Sequence, residues 1–160
     1  LYTLDEPPPI YVAASGPRAS KLAGEHGDGL ICVAPDDDTV KRFEAAGGEG
    51  KPKYAEVNVC WAPSEDEAKR TALEWWPVAG IGGALMQELA LPSHFEAAAE
   101  PLTADQVAKT LAVGPDPDVH IENIRKFASA GFNHLWIHQI GPDQDGFFDF
   151  YEKQVLPKVR

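Results

Sequence analysis

Apolar residues along this chain alternate between short β-branched runs and longer stretches spaced three or four apart, and the alternation recurs. The run Ile10-Tyr-Val-Ala-Ala14 predicts a strand; Ser15-Gly16-Pro17 stops it, and Ala19, Leu22 and Ala23 then share one face of a helix. Gly24 and Gly27 close that helix, and Gly29-Leu-Ile-Cys-Val33 predicts a second strand. Pro35 and Asp36-Asp37-Asp38 bound it and cap a helix over residues 39–46. Past the glycine-rich link 47–52, Tyr54-Ala-Glu-Val-Asn-Val-Cys-Trp61 alternates from Glu56 onward and predicts a third strand. Ser64 then caps a helix with acids in its first turn and Ala68, Thr71, Ala72 and Trp75 on one side.

Residues 77–102 break this rhythm with Gly80, Gly82 and Gly83, a short helical stretch at 85–89 and another opened by Pro92, and read as a helical insertion. Thr103-Ala-Asp-Gln106 has the form of a capping box before Val107, Ala108 and Leu111. Gly114-Pro115-Asp116-Pro117 resets the chain before a helix with Ile121, Ile124, Phe127 and Ala128 on one face, which Gly131 ends. Asn133-His-Leu-Trp-Ile-His138 predicts a fourth strand, and residues 147–155 a last helix with Phe148, Tyr151 and Val155 in line. Strands alternating with helices through short links give an α/β fold with parallel strands. Four such units are half of an eight-stranded barrel, which needs roughly 200–250 residues or more. A doubly wound sheet would instead carry Gly-x-Gly-x-x-Gly after its first strand; here Gly24, Gly27 and Gly29 lie at a helix end. Residues 1–160 are expected to form one domain.

The chain has 160 residues, 44% of them hydrophobic, enough for a compact core. It has no run of 18 apolar residues and no signal-peptide pattern at its start, which predicts a cytoplasmic protein without a membrane partner. A net charge of -11 without clustered Lys or Arg argues against nucleic acid. Cys32 and Cys60 lie in predicted strands and read as small hydrophobes, with neither a disulfide nor a metal expected. The apolar, β-prone start Leu1-Tyr2-Thr3 without an initiator methionine reads as a piece of a longer protein.

Candidate chemistry concentrates at Ala13-Ala14-Ser15-Gly16-Pro17. Small side chains let a ligand approach the backbone, Ser15 is placed to cap the helix, and Pro17 suits its first position. Exposed amides and the helix dipole favour an anion there, with Arg18 adding charge; a capped connection without a ligand is the alternative. His134 and His138, four apart on one strand, point to the same face. With no third ligand near in sequence, pocket lining is preferred over a metal site, and His138 lies at the strand end where barrels carry their sites. Trp75, Trp76 and Trp136 read as core packing before cofactor stacking. The Asp36-Asp37-Asp38 run reads as a solvated helix start that would repel a phosphorylated substrate.

The segments Pro9-Ile-Tyr-Val-Ala-Ala-Ser-Gly-Pro17, Ala23-Gly24 with Gly27-Asp-Gly-Leu-Ile31, Val113-Gly-Pro-Asp-Pro117, and Gly131-Phe-Asn-His134 with His138-Gln-Ile-Gly-Pro-Asp143 resemble the C-terminal half of luciferase-like oxidoreductases. Within these the chain is most similar to the coenzyme F420-dependent branch that includes glucose-6-phosphate dehydrogenases. The resemblance implies the C-terminal half of a (β/α)8 TIM barrel, a homodimer at full length, with the deazaflavin at the C-terminal strand ends. It implies that Ala13, Ala14, Ser15 and Gly16, with Arg18 and Ala19 close by, hold the cofactor's phosphate-bearing tail.

The substrate pocket is expected to include Val33, Asp36 and His138. In the family's sugar-phosphate dehydrogenases, a threonine and a lysine at the positions of Val33 and Asp36 hold the substrate phosphate. An arginine of that site matches Thr110, and a lysine falls near Gln87. These departures argue against glucose 6-phosphate. The family's proton-donating histidine, partner tryptophan and acidic residue lie in the N-terminal half-barrel, the partner this chain lacks, so no catalytic residue is expected here. The resemblance thus implies part of an F420-dependent oxidoreductase moving a hydride between a small organic substrate and the deazaflavin. The alternatives are an FMN-dependent monooxygenase of the same superfamily and a non-catalytic half-barrel that dimerises to cover its open sheet edges.

Overall fold

Each of the four predicted strands forms and leads into a helix, in a computed structural model that describes residues 5–159. The β-prone start Leu1-Tyr2-Thr3 lies outside the described residues. In order come β1 (Tyr11–Ala13), α1 (Pro17–His26), β2 (Gly29–Cys32), α2 (Asp37–Phe43) and β3 (Lys53–Cys60). Next are α3 (Glu65–Trp75), α4 (Leu85–Glu88), α5 (Pro92–Ala99), α6 (Ala104–Ala108), β4 (Ala112–Val113) and α7 (Pro117–Ser129). The last elements are β5 (His134–Gln139), α8 (Gln144–Phe150) and α9 (Leu156–Val159). A turn of wider pitch, Tyr151–Val155, extends α8, and α2 runs on from Glu44 to a kink at Gly47, where φ is +101°. The two-residue β4 is an addition to the predicted strands; it is too short for a periodic signal.

The described residues form two compact units. One runs to Val57 and takes in Ile124–Trp136; the other holds Asn58–Asn123 and the chain from Ile137. In the first, β1 lies parallel to β2 with Tyr11 opposite Gly29, and β2 lies parallel to β3 with Leu30 opposite Lys53. The Asn133 amide donates to the Lys53 carbonyl at 3.1 Å and starts the β5–β3 pair. Residues of β3 alternate between buried and half-buried along its length, so polar Glu56 and Asn58 are carried on the more open face. The core of this unit includes Leu30, Phe43, Val57 and Phe127. Each large side chain there contributes about 1.5–3 kcal/mol through burial.

Helix α1 packs by small residues. Ser20, Ala23 and Gly24 are its buried positions, while Leu22, expected to face inward, is 52% exposed. The reason is the close approach of residues 44–48: a methyl on Gly24 would come within 2.7 Å of the Ala46 Cβ and closer still to the Phe43 carbonyl oxygen. Near the other end of this unit, the helical face of α7 includes buried Ile124 and Phe127, but Ala128 is exposed.

In the second unit β3 pairs in parallel with β4, Val59 opposite Ala112, and the Ile140 amide donates to the Val59 carbonyl at 2.8 Å. Cys60, Ala62, Ala68, Ala72, Val107 and Ile140 form its core, with Trp76 packed against them. Ser64 caps α3 and Thr103 with Gln106 forms the capping box of α6, both as the sequence predicts. The expected core role of the other tryptophans fails: Trp75 is 54% exposed at the end of α3, and Trp136, in the first unit, is 67% exposed. Phe148 is likewise exposed, and α8 buries Phe147 and Phe150 instead, because Tyr151 and Val155 continue a wider-pitch turn that shifts the inward face. Among the described residues no helix is long and apolar enough to cross a membrane.

Candidate functional site

Strand β2 holds the turn after β1 from two sides. The Ala14 amide donates to the Ile31 carbonyl at 3.0 Å, and the Cys32 thiol donates to the Ala14 carbonyl, also at 3.0 Å. Burial, with the nearby Asp36 charge, pushes the Cys32 thiol up to about 11, so it stays protonated and keeps donating. Ala14 is buried by this, while Ala13, Ser15 and Arg18 are exposed and Gly16 and Ala19 half-exposed.

The expected cap does not form. Gly16, not Ser15, is the N-cap of α1, in extended geometry with φ -148° and ψ 169°, and no side chain bonds the first-turn amides. The first turn has no acidic residue, Pro17 has no amide, and an added Cβ on Gly16 would meet nothing within 4 Å. By contrast α2, α3, α6 and α8 are capped by Asp36, Ser64, Thr103 and Asp143 and carry acids in their first turns. The N-terminus of α1 therefore presents backbone amides and the positive end of its dipole without a side-chain partner, with Arg18 exposed in the same first turn. A phosphate fits such a site: it takes amide hydrogen bonds without displacing a side chain, and no carboxylate in the turn opposes it.

Val33 and Asp36 follow β2, and because β1 and β2 are parallel they share the C-terminal strand end with the turn. Val33 is 66% exposed, a free apolar surface. Asp36 is already engaged: its carboxylate accepts from the Asp38 amide at 3.0 Å and from the Thr39 hydroxyl at 2.7 Å. These bonds, the Thr39 hydroxyl first, hold its pKa below the usual carboxylate range, and Asp37 and Asp38 pair with Lys41 and Arg42 along α2. The lip at this strand end is thus anionic at neutral pH, with no lysine or arginine in residues 33–36.

The two strand histidines each have partners. In the first unit His134 stacks on Tyr54, ring centroids 4.4 Å apart, with Nδ1 2.8 Å from Asn133 Oδ1. In the second, His138 Nδ1 lies 2.6 Å from Asn58 Oδ1, and Trp76 meets the imidazole edge-on at 5.2 Å. Among the described residues no group of three His, Cys, Asp or Glu side chains could hold a metal. Asn58 was not singled out from the sequence, although its alternate position on β3 marks it as facing the open side of the strand. Next to His138, the Gln139 side chain accepts from the Trp61 amide at 2.9 Å and donates to the Trp61 carbonyl at 3.0 Å, fixing the end of β3 as a neighbouring strand would.

Residues 1–134 match the profile of the luciferase-like monooxygenase family. An F420-dependent glucose-6-phosphate dehydrogenase of Mycolicibacterium fortuitum is 31% identical over 95% of this chain and 48% of its own length. The enzyme of that name from Rhodococcus hoagii is 32% identical with the same coverage. A solved F420-dependent secondary alcohol dehydrogenase, in complex with an F420–acetone adduct, superposes with a TM-score of 0.78 at 25% identity, over 98% of this chain and 50% of that one. The chain spans about half the length of the curated relatives it matches.

Proposed function

The chain belongs to the luciferase-like monooxygenase family, and on that premise we propose that it supplies the C-terminal half of a (β/α)8 barrel in an F420-dependent oxidoreductase. The observation that carries this reading is the first turn of α1: uncapped by any side chain, free of acids and open at Gly16, in a chain whose relatives are named for F420. The deazaflavin, when bound, supplies the hydride carrier. The chain's own part is to hold the phosphate-bearing tail on the amides following Ala14, with Arg18 and Ala19 alongside. The Cys32 and Ile31 bonds to Ala14 set that turn before the ligand arrives, which lowers the entropy lost on binding.

The substrate is a small organic molecule without a phosphate. Exposed Val33 offers apolar contact, and the Asp36 carboxylate, held ionised by its cap bonds, repels a second anion at the same strand end. His138, held by Asn58 and Trp76, is a pocket-lining group with a fixed ring. Proton transfer belongs to residues outside this chain, and the N-terminal half-barrel is the partner that brings them.

Fluorescence titration of this chain joined to its N-terminal half, with F420 and with FMN in parallel, tests the reading. Saturable F420 binding is expected. Binding of FMN alone would transfer the protein to the flavin-dependent monooxygenases, and binding of neither would leave a structural half-barrel.

A further inference from the structure

His138, near the end of β5 in the second unit, is half-buried, and its ring is held from two directions. Nδ1 lies 2.6 Å from Asn58 Oδ1. Trp76, packed against the core that holds Cys60 and Ile140, meets the imidazole edge-on with ring centroids 5.2 Å apart. The main chain just beyond the ring is fixed as well: the Ile140 amide donates to the Val59 carbonyl at 2.8 Å, and the Gln139 side chain bonds both the Trp61 amide and the Trp61 carbonyl. Asn58 and Val59 are neighbours on β3, so Asn58 and His138 keep their separation without relying on a loop.

That contact decides which nitrogen carries the proton. An amide oxygen only accepts, so the 2.6 Å separation requires N–H at Nδ1. A neutral imidazole has one N–H, and with it at Nδ1 the lone pair is at Nε2. Free histidine in water favours the reverse, with the proton on Nε2. We propose that Asn58 is a positioning residue that inverts this preference and makes His138 an Nε2 acceptor in the substrate pocket, for a ligand group with a proton to share, a hydroxyl or an amine. The proposal rests on the reading of His138 as a pocket-lining group. Neutral His138 then accepts at Nε2 from whatever donor meets it, protein or ligand, and has no proton there to offer a carbonyl oxygen. A pocket that bonds a hydroxyl in this way disfavours an otherwise similar molecule without one, because the acceptor is then left unpaired. Asn58 acts through the ring and need not touch the substrate.

The ring-nitrogen NMR resonances of His138, followed through a pH titration of this chain joined to its N-terminal half, read the tautomer directly; His138→Gln identifies them by their loss. On the neutral plateau the wild type should show a protonated Nδ1 and a bare Nε2. Asn58→Leu, which removes the acceptor, should move the tautomer ratio about tenfold towards Nε2–H. Asn58→Asp keeps an oxygen at that place and should keep the proton on Nδ1, a rescue that a space-filling role for Asn58 does not predict. Diethyl pyrocarbonate, which acylates the imidazole nitrogen bearing the lone pair, should modify His138 at Nε2 in the wild type. A wild-type ring protonated at Nε2, a ratio unmoved in Asn58→Leu, or a His138 that resists acylation would each overturn the proposal. The wild-type resonances and the acylation decide the matter if Asn58→Leu does not fold. None of these readings needs the cofactor, so a protein that passes them yet binds neither F420 nor FMN would sink the oxidoreductase reading and leave the Asn58–His138 assignment standing.

Discussion

A carboxylate placed at Gly16 separates helix stability from anion binding. The position is extended, open and N-capping, so Gly16→Asp should fold and gain up to a few tenths of a kcal/mol, because aspartate caps slightly better than glycine. Thermal unfolding checks it: a melting temperature at or above the wild type is expected. Asp36 is the opposite case, a carboxylate already used as a cap. Asp36→Ala should lower stability by about 1 kcal/mol at neutral pH, read from the denaturant midpoint. The folded-state pKa of Asp36 is depressed, so its contribution is present above the unfolded value near 3.9 and is lost as pH falls through the folded value. The gap between wild type and Asp36→Ala should therefore shrink on acidification below about pH 4. Of the residues named from the sequence, Asp36 was legible as a cap because its chemistry is local. Ser15 was misread as one because Gly16 itself took the N-cap position, and nothing in composition distinguishes neighbouring candidates.

Strands and caps of most elements could be read directly, since β-branched runs and capping boxes are local signals; inward faces could not where packing overrode period. Helix α1 turns Ser20, Ala23 and Gly24 inward and Leu22 outward because the 44–48 stretch comes too close for a large side chain. Gly24→Ala tests this contact: overpacking should cost about 1–3 kcal/mol, although alanine is otherwise the better helix former. A stabilised Gly24→Ala protein would show that α1 can move away. Buried His120 was missed on α7 for a related reason, since a histidine next to the apolar stripe carries no sign of whether it will be packed. In the second unit, Gln139→Leu should cost about 1–3 kcal/mol by stranding the Trp61 amide and carbonyl, measured by urea unfolding.

At the scale of the whole molecule, the order of strand and helix and the family followed from sequence. The chain covers about half of its curated relatives. What it does carry is a turn fixed by β2 and a helix N-terminus without a side-chain cap, the proposed seat of the cofactor's tail. The most direct test compares F420 affinity of the wild type and Gly16→Asp, each joined to the N-terminal half-barrel. If α1 holds the cofactor's phosphate, the added carboxylate should weaken F420 at least about tenfold, a loss of about 1.4 kcal/mol, with no fall in melting temperature. Equal affinity in the two proteins would contradict the account and place the cofactor's tail elsewhere.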